Sequence, residues 1–274
     1  MPVEHYENFP VASLLLPKAL RSPIEAIYRF ARAADDIADE GEAPPEERLA
    51  GLAAFQAELD VLERNDPCAH PVFQPLAPVI ARYQLPIALF RDLLDAFAQD
   101  VQKKRYADYV ELLDYCRRSA NPVGRLVLGL LSVSDDAWLA ESDAICSALQ
   151  LINFWQDVAV DWQKGRVYLP LDELERFNVS EADIAAARQT DVWRNLMRFQ
   201  VQRTRALMLR GAPLACRLPG RLGWEIRLTV QGGLRILEKI EQADFDVLTR
   251  RPVLKGWDWC IMASRAILMR LPKT

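Results

Sequence analysis

Two sets of carboxylates stand at spacings that could do chemistry. Asp35 and Asp39 are four residues apart, so on a helix they share one face, a turn apart. Carried backwards in steps of three and four, that face takes in Arg32 and Tyr28, and its flank of Ala31, Ala33, Ala34, Ile37 and Ala38 is small and apolar. A second stripe runs Gln150, Asn153, Asp157, Asp161, in steps of three, four and four. Its neighbours Leu149, Leu151, Ile152, Phe154, Trp155, Val158, Val160 and Trp162 are almost all apolar. Aspartates at this spacing ordinarily make a solvated helix face among lysines, arginines and glutamates. Here the second stripe has an apolar flank, and like charges four apart repel unless a cation lies between them. Carboxylate and amide oxygens are hard ligands, suited to Mg²⁺ that bridges to phosphate oxygens. The chemistry that fits is departure of a diphosphate, with the metal neutralising the leaving group and an apolar surround tolerating a carbocation.

The elements that must carry these stripes read as helices. Ser22-Pro23-Ile24-Glu25 predicts a helix start, with a capping box and proline at the first helical position. Ile24, Ile27, Tyr28, Ala31 and Ala34 then follow the helical period to about Asp39, where Gly41 stops it. Asp135 is expected to cap one long helix that carries the second stripe as far as Trp162 and is closed by Gly165. Further helices are expected from Pro44-Pro45 to about residue 65, from Pro86 to about 104, and from 108 to 118. Asn121-Pro122 marks a break before 123–131. Short pieces follow at 171–177 and 180–187, then longer helices near 192–210, 222–243 and 256–271. No period-two strand pattern, internal repeat or Gly/Ser linker interrupts them. The expectation is one all-α domain over residues 1–274, with a single core.

Composition narrows the classes. The chain has 274 residues, 51% hydrophobic and 26% charged, as a soluble globular protein has. A net charge of -4 leaves no basic footprint for nucleic acid. Eleven glycines and the absence of a glycine-rich fingerprint argue against a dinucleotide fold. Five dispersed cysteines without a CxxC pair point to reduced thiols and a cytoplasmic protein. With only His5 and His70, a histidine zinc site or a catalytic triad is not expected. No apolar run is long enough to span a bilayer, which leaves peripheral contact with the inner membrane face open.

At this point the residues resemble a family. Arg32-Ala-Ala-Asp35-Asp36-Ile-Ala-Asp39 and Gln150-Leu-Ile-Asn153-Phe-Trp-Gln-Asp157-Val-Ala-Val-Asp161 resemble the two aspartate-rich motifs of the squalene/phytoene synthases. Lys164-Gly165-Arg166-Val167-Tyr168-Leu169-Pro170 is similar to the segment that follows the second motif there, and Arg105-Tyr106 and Asp114-Tyr115-Cys116 sit where that family has similar residues. The resemblance implies the isoprenoid synthase fold, a helical bundle around a central cavity, with Mg²⁺ held by Asp35, Asp39, Asn153, Asp157 and Asp161. Within the family, Glu7-Asn-Phe-Pro-Val-Ala-Ser13, Tyr115-Cys-Arg-Arg-Ser-Ala-Asn-Pro122 and Asn153-Phe-Trp-Gln-Asp157 are most similar to the hydroxysqualene-forming branch of bacterial hopanoid biosynthesis. That implies an isoprenoid diphosphate, presqualene diphosphate, as substrate, and water as co-substrate. Condensing members carry a tyrosine soon after the Tyr-Cys pair and commonly an arginine before the aspartate of the second motif. This chain has Arg117-Arg118 and Gln156 there, which puts the condensation half-reaction in doubt.

Roles follow, each against a plainer reading. Arg32 and Arg166 suit diphosphate, because guanidinium matches phosphate oxygens bidentately; the plain reading of Arg166 is an exposed loop arginine. Tyr28 and Tyr168 can donate to the leaving group or simply pack in the core. Gln150 can orient a ligand or a water, or pair with another helix. Phe9 is the aromatic expected to face cationic intermediates, with Phe154 and Trp155 reading more plainly as core. Two other functions compete: a head-to-head prenyl-condensing synthase, and a non-catalytic helical scaffold or lipid-binding assembly factor of the same fold. Retention of all four motif aspartates argues against the scaffold.

Overall fold

The computed structural model describes residues 17–269, and among these the backbone forms α-helices and no sheet. In chain order these are α1 (Lys18–Asp39), α2 (Pro45–Glu63), α3 (Ala77–Tyr83), α4 (Ile87–Gln102), α5 (Tyr109–Ser119), α6 (Asn121–Gly129) and α7 (Asp136–Gln156). After them come α8 (Val158–Gln163), α9 (Leu171–Arg176), α10 (Glu181–Ala185), α11 (Asp191–Gly211), α12 (Leu214–Arg217), α13 (Gly220–Gln242) and α14 (Gly256–Leu268). A single parallel bridge, Arg105 to Val167, ties the loop after α4 to the loop after α8.

The expected start and stop signals hold at several ends. Asp135 accepts from the Trp138 N–H, Asp108 accepts from the Glu111 N–H, and Ser180 with Asp183 makes a full capping box. The expected break falls at Ala120, between α5 and α6, with Asn121-Pro122 opening the first turn of α6. Two expectations are corrected. The first helix begins at Lys18 behind Pro17, not at Ser22, so Pro23 lies inside it. The extra turn buries Leu20 on the face of Ile24, which offsets the one backbone bond a proline this near the N-terminus forfeits. The expected single helix to Trp162 is interrupted at Asp157, whose backbone leaves the helical region (φ -108°, ψ 16°). Hydrogen bonds from Asp157 N–H to Asn153 C=O and from Asp161 N–H to Asp157 C=O run across the interruption. The helix path is therefore broken without being lost, at the residue that carries the second stripe.

Helix α7 packs against α5, α6, α11 and α13, while α4 packs against α1, α2, α5 and α6. Phe30 of α1 meets Phe90 of α4 edge-on at 5.2 Å and Phe73 at 5.5 Å, which locks the first stripe's helix to the core. Trp155 is wholly buried, with its indole N–H donated to Thr204 Oγ1 at 2.8 Å, which fixes α7 on α11. These two anchorages set the stripes in place. No helix of the described residues is long and apolar enough to cross a membrane.

Candidate active site

The two stripes are joined by cations across 125 residues of sequence. Asp39, at the end of α1, receives Lys164 Nζ at 3.0 Å and an Arg166 guanidinium N–H at 2.5 Å. Both partners come from the turn that leaves α8, where Gly165 takes a left-handed φ of +74° and Arg166 N–H closes on the Asp161 carbonyl at 2.8 Å. Burial works against the Asp39 charge, yet Lys164 and Arg166 together hold its carboxyl below the ordinary range. Arg166 is a mostly buried side chain, not an exposed loop arginine, and its Nε has no hydrogen-bond partner. Despite burial, its own charge is reinforced by the carboxylates Asp39 and Asp100.

Asp161 is the unbalanced carboxylate. Burial first, then the Asp157 charge, pushes its pKa up to about 7, and its Oδ2 is buried without a hydrogen-bond partner. Asp157 is the opposite case: Arg251 grips it with Nε at 2.5 Å and a terminal nitrogen at 3.0 Å. On the first stripe, Arg32 stays on its own helix, bonded to Asp35 at 3.1 Å, to Asp36 at 2.7 Å and to Glu40. Burial outweighs Arg32 at Asp35 and raises that carboxyl. Tyr28, one turn before Arg32, is half-buried; Gln150 and Asn153 are half-buried along α7.

An aromatic wall adjoins the carboxylates. Tyr168 lies face to face on Phe154 at 3.7 Å, with the rings within 6° of parallel, and stacks on Tyr106 at 5.6 Å. Tyr115 completes the wall and donates its hydroxyl to Asp100 Oδ2 at 2.6 Å. Burial raises the pKa of Tyr168 and of Tyr115 well above the usual range, so both remain hydrogen-bond donors. Trp155 points into the core and takes no part in this wall. Arg105 pairs with Glu181 and also donates to the Gly165 carbonyl at 2.6 Å, so it holds the turn that presents Arg166.

Sequence reasoning missed three groups. Asp100 is buried in α4, its Oδ1 unpartnered and its pKa raised to about 6 by burial; Arg166 and Asp35 both act on it from the stripe side. Lys104 donates to the Asp100 carbonyl, and burial with the Arg166 charge lowers its pKa. Arg251 arrives from the loop between α13 and α14, seated by the buried Gln156 amide, which donates to the Pro252 carbonyl at 2.5 Å. In sequence Asp100 looked like one more acid on an amphipathic helix, and nothing tied residue 251 to residue 157. Gln156 thus has its own job: it anchors a loop. Arg117 and Arg118 bond to Asp114, and Arg118 also to Gln99, so they close the end of α5. Phe9, Asn8 and the stretch from Glu7 to Ser13 lie outside the described residues.

The described carboxylates do not converge in threes as a ready metal cage. Asp39 and Asp157 are instead neutralised by Lys164, Arg166 and Arg251, while Asp35 is paired only with Arg32 of its own helix and Asp161 keeps a buried oxygen without a partner. Hard anionic oxygens beside guanidinium groups could take up a metal together with a polyanion, since each can satisfy what the other displaces.

Comparisons with known proteins give the family and the fold. The squalene/phytoene synthase profile matches residues 3–258. The hydroxysqualene synthase of Rhodopseudomonas palustris is 35% identical over 95% of this chain and 88% of its own length. A phytoene synthase of Arthrospira platensis is 30% identical, covering 93% of this chain and 86% of its own. Among solved structures, squalene synthase HpnC from Alicyclobacillus acidocaldarius superposes with a TM-score of 0.82 at 39% identity, over 88% of this chain and 90% of that one. A dehydrosqualene synthase solved with a ligand shares the fold at a TM-score of 0.80 and 20% identity, over 93% of this chain and 88% of that one. The architecture is the isoprenoid synthase fold, and the chain belongs to the squalene/phytoene synthase family.

Proposed function

We propose that the protein is a Mg²⁺-dependent enzyme that converts presqualene diphosphate and water to hydroxysqualene and diphosphate. One observation carries the reading: Asp39, Lys164 and Arg166 join the two acidic stripes into one charged site beside a wall of buried aromatic rings. The 35% identity to a hydroxysqualene synthase, over nearly the whole chain, supports the choice of reaction.

Asp35 and Asp161 would hold Mg²⁺ first, because the former is raised by burial and the latter has a buried oxygen with no partner. Asp39, Asp157 and Asn153 would supply further oxygens to the metal, with the cations on the two aspartates free to turn to phosphate. Bound metal supplies neutralisation of the charge that develops on the departing diphosphate. Lys164, Arg166 and Arg251 exchange a carboxylate for a phosphate oxygen, an exchange in which no buried charge is left unpaired. The carbon–oxygen bond to diphosphate breaks with its electron pair leaving on oxygen. The Phe154, Tyr168, Tyr106 and Tyr115 rings border that carbon skeleton and keep bulk water from it. Gln150 and Asn153 amides both donate and accept, so they can hold one water without deprotonating it. Its oxygen bonds to the rearranged cation and its proton leaves to the released diphosphate.

Product analysis from presqualene diphosphate in H₂¹⁸O, with and without NADPH, tests this directly. One labelled oxygen in hydroxysqualene is expected in both. Squalene accumulating whenever NADPH is supplied overturns the water-quenching reading. A second reading, a prenyl-condensing synthase, is favoured by the phytoene synthases among the relatives. Turnover of farnesyl or geranylgeranyl diphosphate in preference to presqualene diphosphate would establish it instead.

A further inference from the structure

The last helix leaves a face with no charge on it. Trp257, Cys260, Ala263, Ser264, Ile267 and Leu268 of α14 fall within about a third of the helix circumference, and every one of them is exposed. Trp257 is 75% exposed, Leu268 71% and Ile267 65%; singly such exposure is ordinary, but together on one helix face it makes a contiguous apolar patch. The helix has its charges, but it spends them inward. Asp258 is buried between Arg235 and Lys239 of α13 at 2.7 and 2.9 Å, and Arg265 pairs with Glu238 of α13. Trp224, on α13 beside the far end of α14, adds a further exposed indole to the surface, stacked near Arg227, which itself donates to the Ala266 carbonyl.

The exposed charge at the entry to this face is positive, in a chain whose net charge is -4. Arg251 and Arg265 are taken by Asp157 and Glu238, and the one acid of the helix, Asp258, is buried. Exposed Arg250 and Lys255 stand at the entry to α14. An uncharged face with indoles, with cations at its entry, fits the interface of an anionic bilayer, where indole rings settle among headgroups and each basic residue gains from the negative surface.

We propose that α14 docks the protein on anionic membrane by this face. The helix is entered from the loop that carries Arg251 to Asp157 and Pro252 to Gln156, so the chain leads from the acidic site directly into the docking helix. A bilayer is also where a C30 substrate and product partition; the use of the docking rests on the function proposed above, its evidence does not.

Co-sedimentation with vesicles tests it without substrate. Binding to phosphatidylcholine vesicles containing about one third phosphatidylglycerol should exceed binding to phosphatidylcholine alone by about tenfold or more, and should weaken with salt. The double variant W257S/I267S should lose that binding while its far-UV circular dichroism and melting temperature stay those of the parent. Should that variant fail to fold, quenching by brominated acyl chains decides, with W257F expected to remove a large part of the quenching seen in the parent protein. The proposal is overturned if the parent ignores anionic vesicles or binds both vesicles equally. It is also overturned if ultracentrifugation shows a dimer that W257S/I267S dissolves, which would make a second copy the cover. A protein that binds vesicles but does not turn over presqualene diphosphate would leave the docking intact and sink the reaction.

Discussion

At the scale of single residues, the site is a set of carboxylates in unequal states. Asp39 and Asp157 are satisfied by cations, and Asp161 is not. Asp157→Asn keeps the shape and one acceptor, so the bond to Arg251 is weakened but not replaced by a void. That pair is partly open to solvent, and losing its charge should cost less than about 1 kcal/mol of stability. Turnover should fall by about a hundredfold or more, because a group facing the leaving charge loses its ability to share a cation with it. Steady-state rates beside a thermal melt separate the two; a collapsed melting temperature with activity retained would make Asp157 a structural residue.

At the scale of elements, the stripes are held by helix crossings that leave little room. A Cβ on Gly211 of α11 would meet the Glu141 carbonyl oxygen at 2.5 Å and Ile145 N at 2.9 Å, both backbone of α7. Helix propensity alone favours alanine by about 1 kcal/mol, but backbone cannot swing aside as a side chain can. Gly211→Ala should therefore destabilise by about 1–3 kcal/mol in urea unfolding, as overpacked cores do. An unchanged or raised midpoint would show that α7 and α11 part easily. Asp258 makes the second element-scale case, binding α14 to α13. Lys239, the Lys255 N–H and Arg235 outweigh its burial and hold its carboxyl far below the ordinary range. Its folded pKa lies below the unfolded one, so its contribution is complete above the ordinary carboxylate value near 3.9 and fades as pH falls through and below it. Parent and Asp258→Asn should differ in urea midpoint at pH 6, and the difference should shrink steadily below about pH 4. A difference that is constant with pH would mean that the carboxylate charge is not what ties the two helices.

At the scale of the molecule, cation and anion sites are interlocked. On the proposed reading, the arginines and lysine that occupy aspartates would have to let go for metal to bind, and would do so most readily when diphosphate takes them. Mg²⁺ and inorganic diphosphate together should raise the melting temperature by more than the sum of their separate effects. Strictly additive shifts in a thermal-shift experiment would place them in separate sites, and EDTA should abolish the excess.

The periodicity of the chain by itself determined the all-α class, most of the helix ends and the two stripes, because those follow from spacings of three and four and from local capping. Caps at Asp108, Asp135 and Ser180 were legible since donor and acceptor lie within three residues. The start of α1 and the break at Asp157 were not. Burial of Leu20 decides the first, and at the second the chain departs from the helix where Arg251 and Pro252 dock. Residue types showed that Asp35, Asp39, Asp157 and Asp161 could act together; only the folded chain decided which are already paired. Ion pairs between residues 39 and 166 or 157 and 251 leave no trace in local sequence, since their cost and gain arise from burial that distant helices impose. Asp100 remained hidden for the same reason: a carboxylate on an amphipathic helix becomes a buried, unpartnered group only once α5, α1 and the Arg166 turn close around it.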